Sequence, residues 1–299
     1  MTDDRLAAWL TALVDAAAPG GAPARAGLSP EMALVRRSMP SGAELALAGD
    51  VVVKLHHPRT DAAALAARLR AVTVPGLAPL WVQPMQREPL LAPDGRLASV
   101  WPRVEVLVEG ADNHPWAEAG HLLAALHGAE PDGTLTKALP AQGGPARVER
   151  ALRRVRALDH PARPDLVDLG GRLLADVTTE RPRPTVVHGD WHLGQLAHTP
   201  EGLRLLDVDD LGVGGPAWDL SRPAGFWAAG VLDDAAWETF LEAYREAGGP
   251  AVPAQGDPWA HLDLPARCAV FVATVRALRV QPAHSGDPAD ALLEACSRM

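Results

Sequence analysis

Two groups of carboxylate, imidazole and amide side chains follow one another within residues 185–221, TVVHGDWHLGQLAHTPEGLRLLDVDDLGVGGPAWDLS. The first group is His188, Gly189, Asp190, His192 and Gln195, and the second is Asp207, Asp209 and Asp210. Each follows a short apolar run, residues 185–187 and 203–206, that reads as a strand. A carboxylate five residues ahead of an amide, with another carboxylate at the next strand end, supplies hard oxygen atoms in a defined order. Such a set can orient an attacking hydroxyl and hold Mg2+, two of the three things phosphoryl transfer asks of a protein. The third is a cation for the phosphates. Lys54 ends the β-branched run Val51-Val52-Val53, where a buried central strand forces its ammonium either to reach solvent or to find anions. Of the 28 Lys plus Arg residues only Lys54 and Lys137 are lysine, so a lysine kept here is a candidate for a task that arginine cannot do.

His188-Gly189-Asp190-x-His192-x-x-Gln195, then Leu206-Asp207, then Pro216-Ala217-Trp218-Asp219-Leu220 resembles the signature of the aminoglycoside phosphotransferase and choline kinase superfamily, distant relatives of protein kinases. Most of that family has Asn where Gln195 stands, and the HGDxHLGQ variant is similar to bacterial maltokinases and related glucosamine kinases. The resemblance implies an α+β, two-lobed, protein-kinase-like fold. Its small β-rich N-terminal lobe would span residues 1–106 and its larger, mostly helical C-terminal lobe residues 107–299. It implies transfer of the γ-phosphoryl group of ATP or GTP, with Mg2+, to a hydroxyl of an aminoglycoside, amino sugar or sugar-like acceptor. By the same resemblance Asp190 orients that hydroxyl, Gln195 and Asp207 hold the metal, and Lys54 pairs with the α- and β-phosphates. His188 braces the catalytic loop and Asp219 caps its backbone donors. In chain position Glu105 and Val106 resemble the hinge whose backbone binds an adenine edge, and the turn carrying Ser38, Ser41 and Gly42 resembles the one lying over the phosphates.

Several residues keep two readings. His192 either faces phosphate or packs. Asp209 either assists a metal or a cationic substrate, or is a solvated turn acid like its neighbour Asp210. Ser-Gly turns such as that of Ser41-Gly42 are commonly only turns. In the family a helix glutamate holds the lysine, but the corresponding segment, residues 60–72, has none. Asp61 is the only nearby acid, and is either the lysine's partner or a charge complementing the helix N-terminus.

The elements that must position these groups can be read from periodicity. Leu6, Trp9, Leu10, Leu13 and Val14 recur at helical spacing in a first amphipathic helix. A Pro- and Gly-rich connector, residues 18–30, leads to strands at 31–35, 44–48 and 51–55. A helix capped by Thr60 follows, then strands at 80–83 and 97–108, the latter ending in Glu109-Gly110. Helices are expected at 116–127, 146–158, 166–177, 225–231, 235–247 and 265–279. The second of these is dense in arginine and reads as a solvated face.

Composition narrows the class. A net charge of -9 and a pI near 5.6 argue against non-specific binding to nucleic acid or to an anionic membrane. Two cysteines without metal-ligand spacing fit a reducing cytoplasm, and the acidic N-terminus and the lack of a long apolar run predict neither a leader nor a membrane span. The expected partners are a nucleoside triphosphate and a small hydroxyl acceptor. Gln195 and the missing helix glutamate keep open a catalytically silent nucleotide-binding module. A metal-dependent hydrolase ligated by His188, Asp190, His192 and Asp207 is a further alternative, and needs neither Lys54 nor nucleotide. Protein kinase activity is not expected, because the stretch between Asp207 and Asp219 has no room for an activation loop or an APE-type segment.

Overall fold

The computed structural model describes residues 2–17, 34–39, 41–108, 114–129, 133–179, 184–279 and 288–299. The expected connector at 18–30, the start of the strand expected at 31–35, and Glu109-Gly110 lie outside these residues. In chain order the elements are α1 (Thr2–Ala17), β1 (Val35–Ser38), β2 (Glu44–Ala48), β3 (Val51–Leu55), α2 (Ala62–Ala71), β4 (Leu90–Leu91), β5 (Leu97–Pro102) and β6 (Glu105–Val106). They continue with α3 (Trp116–Gly128), α4 (Gly133–Ala138), α5 (Gly144–Val155), α6 (Arg163–Thr179), β7 (Thr185–Val187), β8 (Leu196–Thr199) and β9 (Gly202–Leu205). The last are β10 (Gly212–Gly214), α7 (Ala217–Ala228), α8 (Asp234–Glu246), α9 (Trp259–Ala277) and α10 (Pro288–Ser297). The chain folds into two compact units. One comprises Met1–Leu107, Pro131–Leu139 and Leu196–Asp209, and the other comprises Val108–Glu130, Pro140–Gln195 and Asp210–Met299.

The first unit is built on an antiparallel sheet of order β1-β2-β3-β5-β4. Strand β3 lies at its centre, with Val53 opposite Ala46 on one side and Val100 on the other. Alternation sends Val51, Val53 and Leu55 to a face where they are buried with Ala98, Val100 and, from α1, Leu6 and Leu10. It sends Val52 and Lys54 to the opposite face. Helix α2 starts one residue later than the sequence suggests: Asp61, not Thr60, is the cap, its carboxylate accepting from the Ala64 N–H at 2.7 Å. A second sheet in this unit has the order β6-β8-β9.

Three strand expectations are corrected here. Residues 80–83 are not a strand, because Pro79 favours a 3-10 turn at Ala78–Leu80 and only Trp81 bridges, to Leu205. The strand expected over 97–108 is two: pairing with β3 ends at Pro102, Arg103 donates its N–H to Asp50, and β6 joins the other sheet. The strand expected at 31–35 extends further, as β1 to Ser38; it is exposed at every position, and its VRRS sequence carries no apolar alternation that would have marked that end.

The second unit is mostly helical. α5, α6, α9 and α10 bury Val148, Leu152, Leu166, Leu173, Phe271 and Leu292 in one core. α9 begins at Trp259 rather than at 265, so that Pro265 lies inside it. The proline removes one i to i−4 hydrogen bond, and burial of Leu262, Ala266, Cys268 and Phe271 along the same helix offsets that loss. α7 likewise starts earlier than expected, at Ala217, and packs so tightly on α9 that a Cβ on Gly225 would lie 2.7 Å from the Ala266 carbonyl oxygen. Among the described residues of this unit, β7 and β10 pair antiparallel, with Gly212 opposite Val187. No helix among the described residues is long and apolar enough to cross a membrane.

Candidate active site

In the first unit, Lys54 and its surroundings are assembled from β3, β5 and the segment following β9. The Lys54 Nζ lies 2.6 Å from Asp207 Oδ1 and 2.9 Å from Asp209 Oδ2, with only 12% of its side chain exposed. Burial works against the ammonium, but the carboxylates of Asp207 and Asp209 outweigh it and hold the lysine pKa above its ordinary value. Burial likewise pushes the Asp209 carboxyl up, while the Lys54 charge and a hydrogen bond from His56 hold it well below the usual carboxylate range. Asp207 has a left-handed backbone, φ 60°, uncommon for a residue with a side chain. Its Oδ1 accepts from the Asp209 N–H at 3.0 Å as well as from Lys54, which holds that conformation in place.

In the second unit, residues 188–195 connect β7 to β8. Asp219, in the first turn of α7 and 1% exposed, accepts from the backbone N–H of His188 at 2.7 Å and of Gly189 at 2.8 Å. Gly189 has φ 85°, and a Cβ there would lie 2.0 Å from the Asp210 carbonyl oxygen, so no other residue fits. The next residue, Asp190, is thereby fixed at its backbone while its side chain stays 45% exposed. Its Oδ1 is 3.6 Å from Arg147 Nη2. Burial pushes the Asp190 carboxyl up, but Arg147, then Arg222, hold it below its ordinary value. Gln195 ends the 3-10 turn Leu193–Gln195, and its N–H donates to the His192 carbonyl at 2.8 Å. The His192 Nδ1 accepts from the Gly194 N–H at 3.1 Å, and the buried His188 accepts from the Asp190 N–H through Nδ1 at 3.4 Å.

The remaining sequence candidates fall as follows. Ser38 ends β1 opposite Glu44, and Ser41 Oγ accepts from the Ala43 N–H at 3.4 Å; both serines are exposed. Glu105 and Val106 form β6, an edge strand whose side chains are exposed. Leu107 donates to Leu196, so alternation turns Glu105 toward β8 and leaves the Val106 N–H and C=O on the open edge. Asp61 does not reach Lys54, its carboxylate capping α2 instead.

Asp207, in the first unit, and Gln195, in the second, each carry a hard oxygen of the kind Mg2+ prefers. Asp207 Oδ2 takes no hydrogen bond or ion pair among the described residues, and an amide oxygen is a further neutral ligand for Mg2+. Among the described residues no three His, Cys, Asp or Glu side chains form a metal-holding cluster, so the four hydrolase ligands suggested by sequence are not gathered together.

Sequence reasoning missed several participants. His56 is fully buried between Asp209 and Ser99. His127 bridges Asp219, at 3.0 Å, and the Tyr244 hydroxyl, at 2.8 Å, while that hydroxyl accepts from the Ala251 N–H. Arg147, from the arginine-rich helix read as a solvated face, donates to the Gly189 carbonyl and pairs with Asp190 and Asp210. Their partners lie far along the chain, and no local pattern singles them out.

A lysine braced on an antiparallel sheet and an aspartate loop pinned ahead of a helical unit define an α+β, protein-kinase-like phosphotransferase fold. The family model for the phosphotransferase enzyme family matches residues 42–259, and the chain belongs to that family. Solved structures agree on the fold. A choline/ethanolamine kinase family protein from Mesorhizobium loti aligns over 100% of this chain and 94% of its own, at 20% identity and TM-score 0.58. An amicoumacin kinase in complex with AMP-PNP, Ca2+ and Ami aligns over 97% and 92%, at 13% identity and TM-score 0.62. A GDP complex of aminoglycoside 2'-phosphotransferase-IIIa aligns over 90% and 93%, at 15% identity and TM-score 0.56. Among curated proteins none matches the sequence.

Proposed function

We propose that this phosphotransferase uses ATP or GTP with Mg2+ to phosphorylate a hydroxyl of a small acceptor of the aminoglycoside, amino sugar or sugar type. One observation carries the reading: the buried Lys54 ammonium bound at 2.6 Å to Asp207, an acid with its second oxygen open to a cation. A hydrolase has no use for that lysine, whereas a triphosphate needs both a cation for its oxygens and an anchor for its metal. The AMP-PNP and Ca2+ of the amicoumacin kinase complex, and the GDP of the aminoglycoside enzyme, are consistent with it.

Asp190 receives the acceptor hydroxyl and orients it; its lowered pKa keeps it an anion able to accept that hydrogen bond. Lys54 neutralises phosphate oxygens on the other reactant, and the open backbone edge at Val106 offers one donor and one acceptor to a base. Asp207 and Gln195 would hold magnesium, which when bound neutralises charge building on the β- and γ-phosphates. The deciding experiment is nucleoside diphosphate release from ATP and GTP across aminoglycosides, glucosamine, maltose, choline and nucleosides, with Asp190→Asn as blank. A signal that needs both acceptor and Asp190 is expected. Nucleotide binding without turnover on any acceptor would instead favour a silent binding module.

A further inference from the structure

Four rotatable bonds separate a lysine ammonium from its backbone, so a fixed carboxylate beside it narrows the positions it can take. α2 contains no acid, and Asp61 at its start is engaged by the Ala64 N–H. Lys54 is held instead by Asp207 and Asp209. These two acids differ in what holds them. Asp207 keeps one oxygen open, whereas the second oxygen of Asp209 meets His56 Nδ1 at 2.8 Å. An ionised carboxylate only accepts, so His56 carries a proton on Nδ1 toward Asp209, and its Nε2 lies 2.8 Å from the Ser99 hydroxyl, which in the Nδ1–H tautomer donates to it. Ser99 Oγ accepts in turn from Trp101 Nε1–H at 2.8 Å. Every donor along this line therefore has an acceptor. The line runs along one face of the sheet because Lys54 sits opposite Ser99 and Val52 opposite Trp101. His56 and Ser99 are 0% and 1% exposed, so neither ring nor hydroxyl can turn to water.

We propose that Asp209, braced by His56, is the positioning residue for Lys54, doing the work of the acid that α2 lacks. It keeps the ammonium in place on the nucleotide phosphates when Asp207 turns its oxygens to a metal. The inference rests on the kinase reading above and deepens it. Asp209 acts through Lys54 and touches neither reactant.

The test measures ADP binding with Mg2+ by calorimetry, together with the urea midpoint, for Asp209→Asn, Asp209→Glu, His56→Leu, the double variant His56→Leu/Asp209→Asn, and Lys54→Met. Asp209→Asn should weaken ADP binding about tenfold, as loss of a supporting partner does elsewhere. Asp209→Glu should recover part of that loss because it restores the charge. His56→Leu should weaken binding less, and the double variant no more than Asp209→Asn alone, since the histidine acts only through the acid. Wild-type binding by Asp209→Asn, beside a defective Lys54→Met, would overturn the inference and leave the kinase reading standing. Effects that multiply in the double variant would also overturn it. Should Lys54→Met itself bind ADP as the wild type does, both readings fall. If the His56 variants do not fold, the contrast between Asp209→Asn and Asp209→Glu decides.

Discussion

Asp190 serves the proposed reaction only as a carboxylate, and Arg147 is the principal group keeping it ionised as the pH falls. The sign follows directly. A carboxyl whose pKa is lowered stays active to lower pH, so removing the cause of the lowering must move the acid-side loss of activity upward. Arg147→Gln is therefore expected to shift the acid limb of the kcat/KM profile to higher pH, and an unmoved limb would assign that limb to another group. Asp190→Asn should lower kcat by about 10²–10⁴ while leaving ADP binding intact, since it removes an oxygen acceptor for the hydroxyl and not the phosphate contacts. Single-turnover rates and calorimetry on the same preparation check both halves of that statement.

The loop from His188 to Gln195 owes its shape to an element elsewhere in the sequence, the first turn of α7. Asp219 takes two backbone donors there and a third from His127, all with almost no water access. Asp219→Ala would leave those three donors unpaired and should cost about 3–5 kcal/mol in urea unfolding, a loss well beyond that of an exposed acid. Gly189→Ala should preserve the helices by circular dichroism yet remove turnover, because the loop cannot keep φ 85° and clear the Asp210 carbonyl with a methyl group present. These elements also show what a sequence can and cannot disclose. Asp190, Gln195 and Asp207 stand out as candidates because short spacings within one stretch carry their order, and Lys54 because it ends a β-branched run. His56 and Arg147 were not, since their partners lie 153 and 42 residues away and nothing local marks the pairing. β10 was illegible for another reason: its Gly-Val-Gly has little strand propensity, and pairing with β7 and the bridge from Val213 to Ala141 make it a strand. Pro265 misled the start of α9 because burial along the helix outweighs one missing hydrogen bond.

Across the whole molecule, nucleotide binding should appear as stability. A ligand that binds only the folded chain adds about 2.7 kcal/mol at one hundred times its Kd, so ADP with Mg2+ should raise the melting temperature of the wild type and leave Lys54→Met nearly unmoved. Equal rises in both would place the nucleotide elsewhere. The first unit, finally, is not contiguous in the chain: it closes with Leu196–Asp209, which carries β8 and β9, the rest of the sheet that β6 joins, and both counter-charges of Lys54. A ribosome therefore delivers that lysine 153 residues before Asp207, a wait on the order of ten seconds at ordinary elongation rates. Throughout that interval the sheet can bury its α1 face, but the ammonium on its other face has no acid to meet. The first unit thus stays open until Asp209 has been made, and nascent chains arrested before Asp209 should expose it to protease while those arrested well beyond should not.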